Sequence, residues 1–209
     1  MTAQTMTIKA EQLAYWYLRL NGFLTIPNFI VHPEIGRDQE TDVDLLAVRF
    51  PYRAELRSME DDKIFTRVRE KSFVAFAEVK ANVCALNGPW TNPNRQNMQK
   101  VLRALGAFPT AEIEVVAAAL YGRGVYKNQL YQVSLLCLGR EESPEVANSH
   151  PDVPQVTWSK VLTFIHNRFR TYRNQKVSHG QWDDQGHDLW DCAERTRDSE
   201  DFIKCVQIT

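Results

Sequence analysis

The feature that most constrains the fold is an apolar run, FVAFA at residues 73–77, which Glu78, Val79 and Lys80 follow directly. A short apolar run that is rich in aromatic residues predicts a strand buried on both faces of a sheet. Side chains at positions i and i+2 of a strand point to the same face, so Glu78 and Lys80 project together. Because an isolated buried charge is costly, this acid and this base need a partner, a metal ion or a functional reason.

A second predicted strand, TDVDLLAVRF at residues 41–50, places Asp44 at the start of another apolar run. If the two strands are antiparallel neighbours, the start of one meets the end of the other, and Asp44 lies beside Glu78 and Lys80. Two adjacent carboxylates repel each other unless a divalent cation lies between them. Oxygen ligands favour Mg²⁺ or Mn²⁺, and a lysine beside such a cation can orient or help to deprotonate a bound water. The alternative is a purely structural ion pair between Glu78 and Lys80.

The periodicity of the apolar residues predicts the remaining elements. Helices are predicted at residues 8–21, 94–106 and 156–176 and after residue 187, and strands at residues 23–31, 41–50, 73–81, 113–122 and 130–139. The charged segment 51–71 is predicted to be an excursion with a short helix or an extended hairpin. We therefore predict an α/β fold: a mixed β-sheet flanked by helices, with additional C-terminal helices. Residues 1–140 form the predicted core, and residues 141–209 a linker and a helical extension packed on the same domain.

Composition limits the classes of protein to consider. Hydrophobic residues make up 44% of the chain and charged residues 24%, which is the balance of a soluble globular protein. The formal net charge of −1 indicates no polyanionic partner by itself. The N-terminus lacks the pattern of a signal peptide, no apolar run reaches the length of a membrane span, and the four cysteines are widely spaced. We predict a cytoplasmic protein with reduced cysteines and no membrane partner.

These residues carry a family resemblance. Asp44 in TDVDLLAV, a spacer, and E-V-K at residues 78–80 resemble the motif of the PD-(D/E)-x-K nuclease superfamily, whose members are restriction-endonuclease-like. Residues 8–138 are similar in element order to the helix–three strands–helix–strand core of that superfamily. The chain departs from the pattern at Val43, where the superfamily often has proline.

The resemblance implies a Mg²⁺-dependent nuclease, with Mn²⁺ as a substitute, that hydrolyses phosphodiester bonds of nucleic acid, with DNA as the expected substrate. Asp44, Glu78 and the backbone carbonyl of Val79 would hold the cation, and Lys80 would activate the attacking water. The resemblance also implies a supporting role for Glu11 on the first helix, for which ordinary helix-start chemistry is the alternative. It implies a site role for a glutamine on the helix after the E-x-K strand, preferably Gln96 and otherwise Gln99, for which a solvated helix face is the alternative. Many nucleases of this kind pair to cut two strands, so a homodimer is a possible state.

Charge is polarised in the C-terminal third. Residues 157–180 hold basic side chains and no acid, whereas residues 181–201 hold eight acids. A basic helix can follow a phosphate backbone, and a tryptophan in the loop GPWTNPN can stack on a base. The predicted nucleic-acid contacts are Arg168, Arg170, Arg173, Lys176 and Trp90. The alternatives are an acidic tail that neutralises the basic helix, and a tryptophan that covers the sheet edge.

Two other functions stay open at this stage. A nucleic-acid-binding subunit could keep the fold while another chain cuts, and an interaction protein could use the same charges only as ion pairs. A response to magnesium separates the nuclease from the interaction protein.

Overall fold

The computed structural model describes residues 5–32, 41–53, 59–68 and 70–209. The strands are β1 (Met6–Ile8), β2 (Leu24–Val31), β3 (Thr41–Arg49), β4 (Ser72–Val79), β5 (Val125–Lys127), β6 (Tyr131–Gly139), β7 (Gln155–Thr157) and β8 (Val206–Ile208). The helices are α1 (Ala10–Leu20), α2 (Lys63–Thr66), α3 (Gly88–Thr91), α4 (Asn97–Leu105), α5 (Ile113–Arg123), α6 (Pro144–Ser149), α7 (Trp158–Thr171), α8 (Arg173–Lys176), α9 (Asp184–Arg195) and α10 (Ser199–Cys205).

The main sheet is mixed, as the sequence predicts. Its order is β2-β3-β4-β6-β5, with β7 also paired to β6. Strand β3 is antiparallel to both of its neighbours, β2 and β4, whereas β6 runs parallel to β4. Separately, β1 near the start of the chain pairs in parallel with β8 near its end. The fold is therefore α/β, with helices that flank a sheet of antiparallel and parallel strands.

Strand β4 is buried on both faces, which confirms the prediction from its apolar run. Phe73, Ala75, Ala77 and Val79 belong to one core cluster, which also contains buried residues of α1 and α7. Val74 and Phe76 belong to a second cluster, together with buried residues of α4 and α5. The sheet is therefore the middle of three layers, between the helices of the two clusters. The polar residues at the adjoining ends of β3 and β4 lie in this middle layer.

The strand predicted at residues 113–122 is wrong, because this segment forms helix α5. Its buried residues, Ile113, Val116, Ala117 and Leu120, are spaced as on one face of a helix, whereas Val115 is exposed. Three consecutive alanines favour a helix, and Gly124 in the left-handed region (φ +69°) ends it. The run is apolar because the helix packs on the sheet.

The C-terminal third also differs from the prediction. The predicted linker contains α6 and β7, and the predicted helix at 156–176 is divided into α7 and α8 around Tyr172. Cys192 on α9 and Cys205 on α10 form a disulfide, so the prediction that all four cysteines are reduced is wrong in this structure, although Cys84 and Cys137 are free and buried. The short helix predicted in the charged excursion is α2, and residues 54–58 and 69 of that excursion lie outside the described residues. Among the helices that are described, none is long and apolar enough to span a membrane.

Candidate functional site

The pairing of β3 and β4 brings Asp44 to the end of β4. The antiparallel register pairs Leu45 with Ala77, so the next step along it brings Asp44 to the level of Glu78. The backbone N–H of Val79 donates a hydrogen bond to Oδ2 of Asp44, with an N···O distance of 2.8 Å. The predicted neighbourhood of Asp44 and the E-V-K segment is therefore confirmed at the level of the backbone.

Glu78 is held by three donors. It is only 3% exposed. Nζ of Lys80 donates to its Oε1 at 2.5 Å, and Nδ2 of Asn87 donates to the same oxygen. Nε1 of Trp90 donates to Oε2 at 2.6 Å. Glu78 and Lys80 thus project together as predicted, and the loop before α3 closes over the acid.

Trp90 and Asn87 show what sequence reasoning missed. Trp90 is buried and hydrogen-bonded to Glu78, so the expectation of an exposed stacking residue is wrong for this side chain. Trp90 packs in the apolar cluster that contains residues of α4 and α5. This packing agrees with the alternative interpretation, in which the tryptophan covers the sheet edge. Asn87 carried no signal beyond its place one residue before a Gly-Pro pair, where a chain often turns.

The electrostatics of the site follow from burial. Burial raises the pKa of Asp44, and the charges of Asp42 and Glu11 raise it further, while the Val79 hydrogen bond and the Lys80 charge act in the opposite direction. Burial also raises the pKa of Glu78, and the charge of Asp44 raises it further. The hydrogen bonds from Lys80 and Trp90 lower this pKa but offset only part of the rise. Both carboxylates are therefore costly to ionise in the folded chain, and a nearby cation would relieve that cost.

The raised pKa of Asp44 predicts how an Asp44→Asn variant depends on pH. A folded-state pKa above the unfolded value gives stability that is present at low pH and is lost as the pH rises through the folded pKa. Asp44→Asn keeps an oxygen that can accept from Val79 but cannot ionise. Without divalent cations, we expect the variant to be more stable than the native chain at pH 7 and to lose that advantage towards pH 4.

Urea unfolding from pH 4 to pH 8 in a chelating buffer measures this dependence. Asp42→Asn is the matched control, because Asp42 lies on the same strand but is exposed. If Asp44→Asn and Asp42→Asn increase the free energy of unfolding equally at pH 7, burial of Asp44 is not the cause of the stabilisation.

Glu11 and Gln96 differ in how the structure places them. Glu11 lies in the first turn of α1 and is exposed, and its charge acts on Asp44, so the start of α1 faces this end of the sheet. Gln96 is exposed and has a left-handed backbone (φ 53°) where α4 begins. In the described part of the chain, no hydrogen bond joins Gln96 to Asp44, Glu78 or Lys80. Gln99, the alternative, is buried and donates to Glu114 on α5 at 3.0 Å.

The oxygen atoms at the site are of the kind that a hard divalent cation binds. A carboxylate has about four acceptor positions, and the described hydrogen bonds use three on Glu78. Oxygen donors from Asp44, Glu78 and the carbonyl of Val79 are the type that Mg²⁺ and Mn²⁺ prefer, with water completing the shell. Over residues 5–32, 41–53, 59–68 and 70–209, no group of three or more His, Cys, Asp or Glu side chains is arranged to hold a metal. Asp44 and Glu78 would thus offer such a cation two carboxylates, with water supplying other ligands.

The predicted nucleic-acid contacts on α7 and α8 fall into two groups. Arg168 is 3% exposed and forms an ion pair with Asp61 at 2.6 Å, so its prediction as a surface phosphate contact is wrong as the side chain is placed. Arg170 and Arg173 are more exposed and both face Glu194 of α9, at 3.9 and 2.6 Å. The acidic tail therefore does reach the basic helix, and one carboxylate is shared by two arginines. The ammonium of Lys176 lies 5.8 Å from the Tyr172 ring centre.

Comparisons of the chain with protein-family models, with curated proteins and with solved structures found no match.

Proposed function

We propose that this chain is a Mg²⁺-dependent nuclease that hydrolyses phosphodiester bonds, with DNA as the expected substrate and Mn²⁺ as a substitute cation. The observation that carries the proposal is the meeting of Asp44, Glu78 and Lys80 at one end of a buried sheet. A mainly structural role leaves the cost of ionising the buried Glu78 and the half-buried Asp44 without an explanation. The order α1, β2, β3, β4, α4, β6, with β6 parallel to β4, supports the proposal because it contains the helix–three strands–helix–strand order that the PD-(D/E)-x-K resemblance implies, with α2, α3, α5 and β5 as additional elements.

Each residue has a role in the proposed chemistry. Asp44, Glu78 and the carbonyl of Val79 would hold the cation, which supplies charge neutralisation at the phosphate and a more acidic bound water. The ammonium of Lys80 contacts the buried Glu78, yet the Lys80 side chain is 28% exposed. Lys80 therefore lies between the buried acid and the solvent-accessible space in which a substrate would bind. It positions the attacking water and faces the developing negative charge. Glu11 assists from the start of α1, and Gln96, which makes no described hydrogen bond to these groups, is given no defined step.

The basic helix extends from the same end of the sheet. Nε1 of Trp158, the first residue of α7, donates to the carbonyl oxygen of Lys80 at 3.1 Å. Arg170 lies twelve residues further along, about 18 Å at 1.5 Å per residue. A strand of duplex covers that distance in roughly five nucleotides at 3.4 Å each. Arg170 and Arg173 therefore suit phosphates several nucleotides from the cut bond.

Replacing Arg170 and Arg173 with alanine is expected to weaken DNA binding across all sequences. The plot of log affinity against log salt should flatten by up to about 0.9 per lost duplex contact. Fluorescence anisotropy with Ca²⁺ in place of Mg²⁺, at several salt concentrations, measures both quantities. The control is Arg103→Ala with Arg123→Ala, which removes the same charge from two other surface ion pairs. An unchanged affinity and slope in the first variant would show that Glu194 alone uses these arginines.

A second candidate function has one observation in its favour. Lys80, Asn87 and Trp90 already satisfy most of Glu78, which is also what a structural ion pair requires. On this alternative the chain binds nucleic acid or another protein without cutting. Hydrolysis of DNA or RNA that depends on Mg²⁺ or Mn²⁺ separates the two, since a structural ion pair has no use for the cation.

A further inference from the structure

The three hydrogen-bond donors on Glu78 differ in how firmly the fold holds them. Nζ of Lys80 and Nδ2 of Asn87 both donate to Oε1, and Nε1 of Trp90 donates to Oε2. The Lys80 side chain is 28% exposed and Asn87 is exposed, whereas Trp90 is 2% exposed. Water can therefore replace the first two donors, but it cannot replace the third while the chain stays folded.

The position of Trp90 follows from the strand that carries the site. Phe76 and Glu78 lie two residues apart on β4, so their side chains project from the same face of the sheet. The rings of Trp90 and Phe76 pack with their centres 6.3 Å apart, while the indole N–H reaches Glu78. Trp90 therefore covers two successive positions of one strand face, one with its ring and the other with its N–H.

Helix α3 and the core behind it hold the indole ring in place. Pro89, with its fixed φ, lies in the first turn of α3, and the backbone N–H of Trp90 donates to the carbonyl oxygen of Asn87 at 2.9 Å. The ring belongs to the same apolar cluster as Met98 and Val101 of α4. The direction of the indole N–H is therefore set by the fold before any ligand binds.

A carboxylate that is anchored through one oxygen keeps its orientation. The indole nitrogen of Trp90 lies 2.6 Å from Oε2 of Glu78, and such short distances are typical of hydrogen bonds to an ionised acceptor. A free glutamate side chain loses rotamer freedom when it binds a ligand, whereas an anchored one has already lost it. Groups that orient a metal ligand in this way typically contribute about 10- to 100-fold to the affinity for the metal.

We propose that Trp90 is a positioning residue that orients Glu78 for the divalent cation, whereas the bonds from Lys80 and Asn87 are exchangeable. This inference rests on the proposed function, because it assigns Trp90 a part in the same cation site. Trp90 acts through Glu78 and is not itself a ligand. A purely structural tryptophan would stabilise the fold but would leave the affinity for the cation unchanged.

Trp90→Phe tests the inference, because it removes the indole N–H and keeps an aromatic ring in the core. By calorimetry, the variant should bind Mn²⁺ about 10- to 100-fold more weakly than the native chain. Trp16→Phe is the matched control, because Trp16 is also buried and donates its indole N–H to a carboxylate, that of Asp183. Both variants should melt at a lower temperature, but only Trp90→Phe should lose affinity. Equal affinities for the two variants would overturn the inference.

Asn87→Ala separates the buried donor from an exposed one. We expect it to change the affinity for Mn²⁺ far less than Trp90→Phe does, because water can donate to Oε1 in place of the amide. A loss as large as that of Trp90→Phe would contradict the distinction between the two donors.

The indole N–H signal of Trp90 reports on the carboxylate without any cleavage assay. In a ¹⁵N spectrum this signal is identified by its absence from Trp90→Phe. It should shift saturably when Mg²⁺ is added to the native chain, and it should not shift in Glu78→Gln. A Trp90 signal that stays unchanged while Mg²⁺ binds would show that Glu78 is not the link between the tryptophan and the cation.

These measurements distinguish failure of the inference from failure of the proposed function. If Trp90→Phe binds Mn²⁺ more weakly than the native chain but neither DNA nor RNA is cut, the positioning role stands and the nuclease proposal fails. If the native chain cuts and Trp90→Phe binds Mn²⁺ equally well, the nuclease proposal stands and the inference fails. A native chain that binds neither Mg²⁺ nor Mn²⁺ overturns both.

Discussion

Lys80→Ala is expected to abolish cleavage while leaving cation binding in place. Lys80 would position the attacking water and offset charge on the phosphate, and groups with such roles contribute about 10²- to 10⁴-fold to the rate. Asp44 and Glu78 remain in the variant, so Mn²⁺ should still bind in a calorimetric titration. Glu78 keeps its hydrogen bonds from Asn87 and Trp90, so the free energy of unfolding should change by only about 1 kcal/mol.

Lys160→Ala is the matched control for Lys80→Ala. Lys160 also pairs with a glutamate, Glu142 at 2.8 Å, but both partners are exposed. The Lys160→Ala variant should cleave DNA at the rate of the native chain. If instead Lys80→Ala costs about 3–5 kcal/mol of stability, as breaking a buried ion pair does, and cleavage persists, the lysine is structural.

Glu78→Ala is expected to remove cation binding and cleavage together, with a large loss of stability. The variant leaves the donors of Trp90, Asn87 and Lys80 without their acceptor, and the unsatisfied donor of the buried Trp90 costs about 1–3 kcal/mol. Loss of activity in this variant could therefore follow from loss of fold. Glu78→Gln separates the two causes, because its carbonyl oxygen can still accept from one or two of these donors.

For Glu78→Gln we expect folded protein with cation binding and cleavage both lost. Urea unfolding, Mn²⁺ calorimetry and a nicking assay on the same preparation measure the three quantities. A folded Glu78→Gln that cuts DNA at the native rate would show that the ionised carboxylate has no part in the chemistry.

The parts of the fold that depend on local pattern could be predicted from the sequence. The two apolar runs that form β3 and β4 predict Asp44 beside the E-V-K segment, because strand pairing leaves few alternatives for two buried runs. The segment that forms α5 has the same apolar character, so its pattern predicts a strand, although its three alanines and the spacing of its buried residues are those of a helix. Apolar content alone does not distinguish a buried strand from a helix that packs on a sheet.

The parts that depend on remote contacts could not be predicted. Arg168 is one of several basic residues in its helix, and nothing near it in the sequence identifies Asp61, 107 residues away, as its partner. Trp90 lies in a polar segment whose composition is typical of an exposed loop, and only the folded chain shows that this segment forms α3 and that Glu78 gives the tryptophan N–H a buried acceptor. The pairing of Cys192 with Cys205 likewise depends on how α9 and α10 pack.

Nicking of supercoiled DNA by the native chain tests the central claim most directly. With Mg²⁺ or Mn²⁺ we expect nicked circles to accumulate, and with a chelator none. Asp44→Asn, purified in parallel, should be slower by about 10²-fold or more, which excludes a contaminating nuclease. RNA is assayed beside DNA under the same conditions. A native chain that cuts neither DNA nor RNA with either cation, while remaining folded, would contradict the nuclease account.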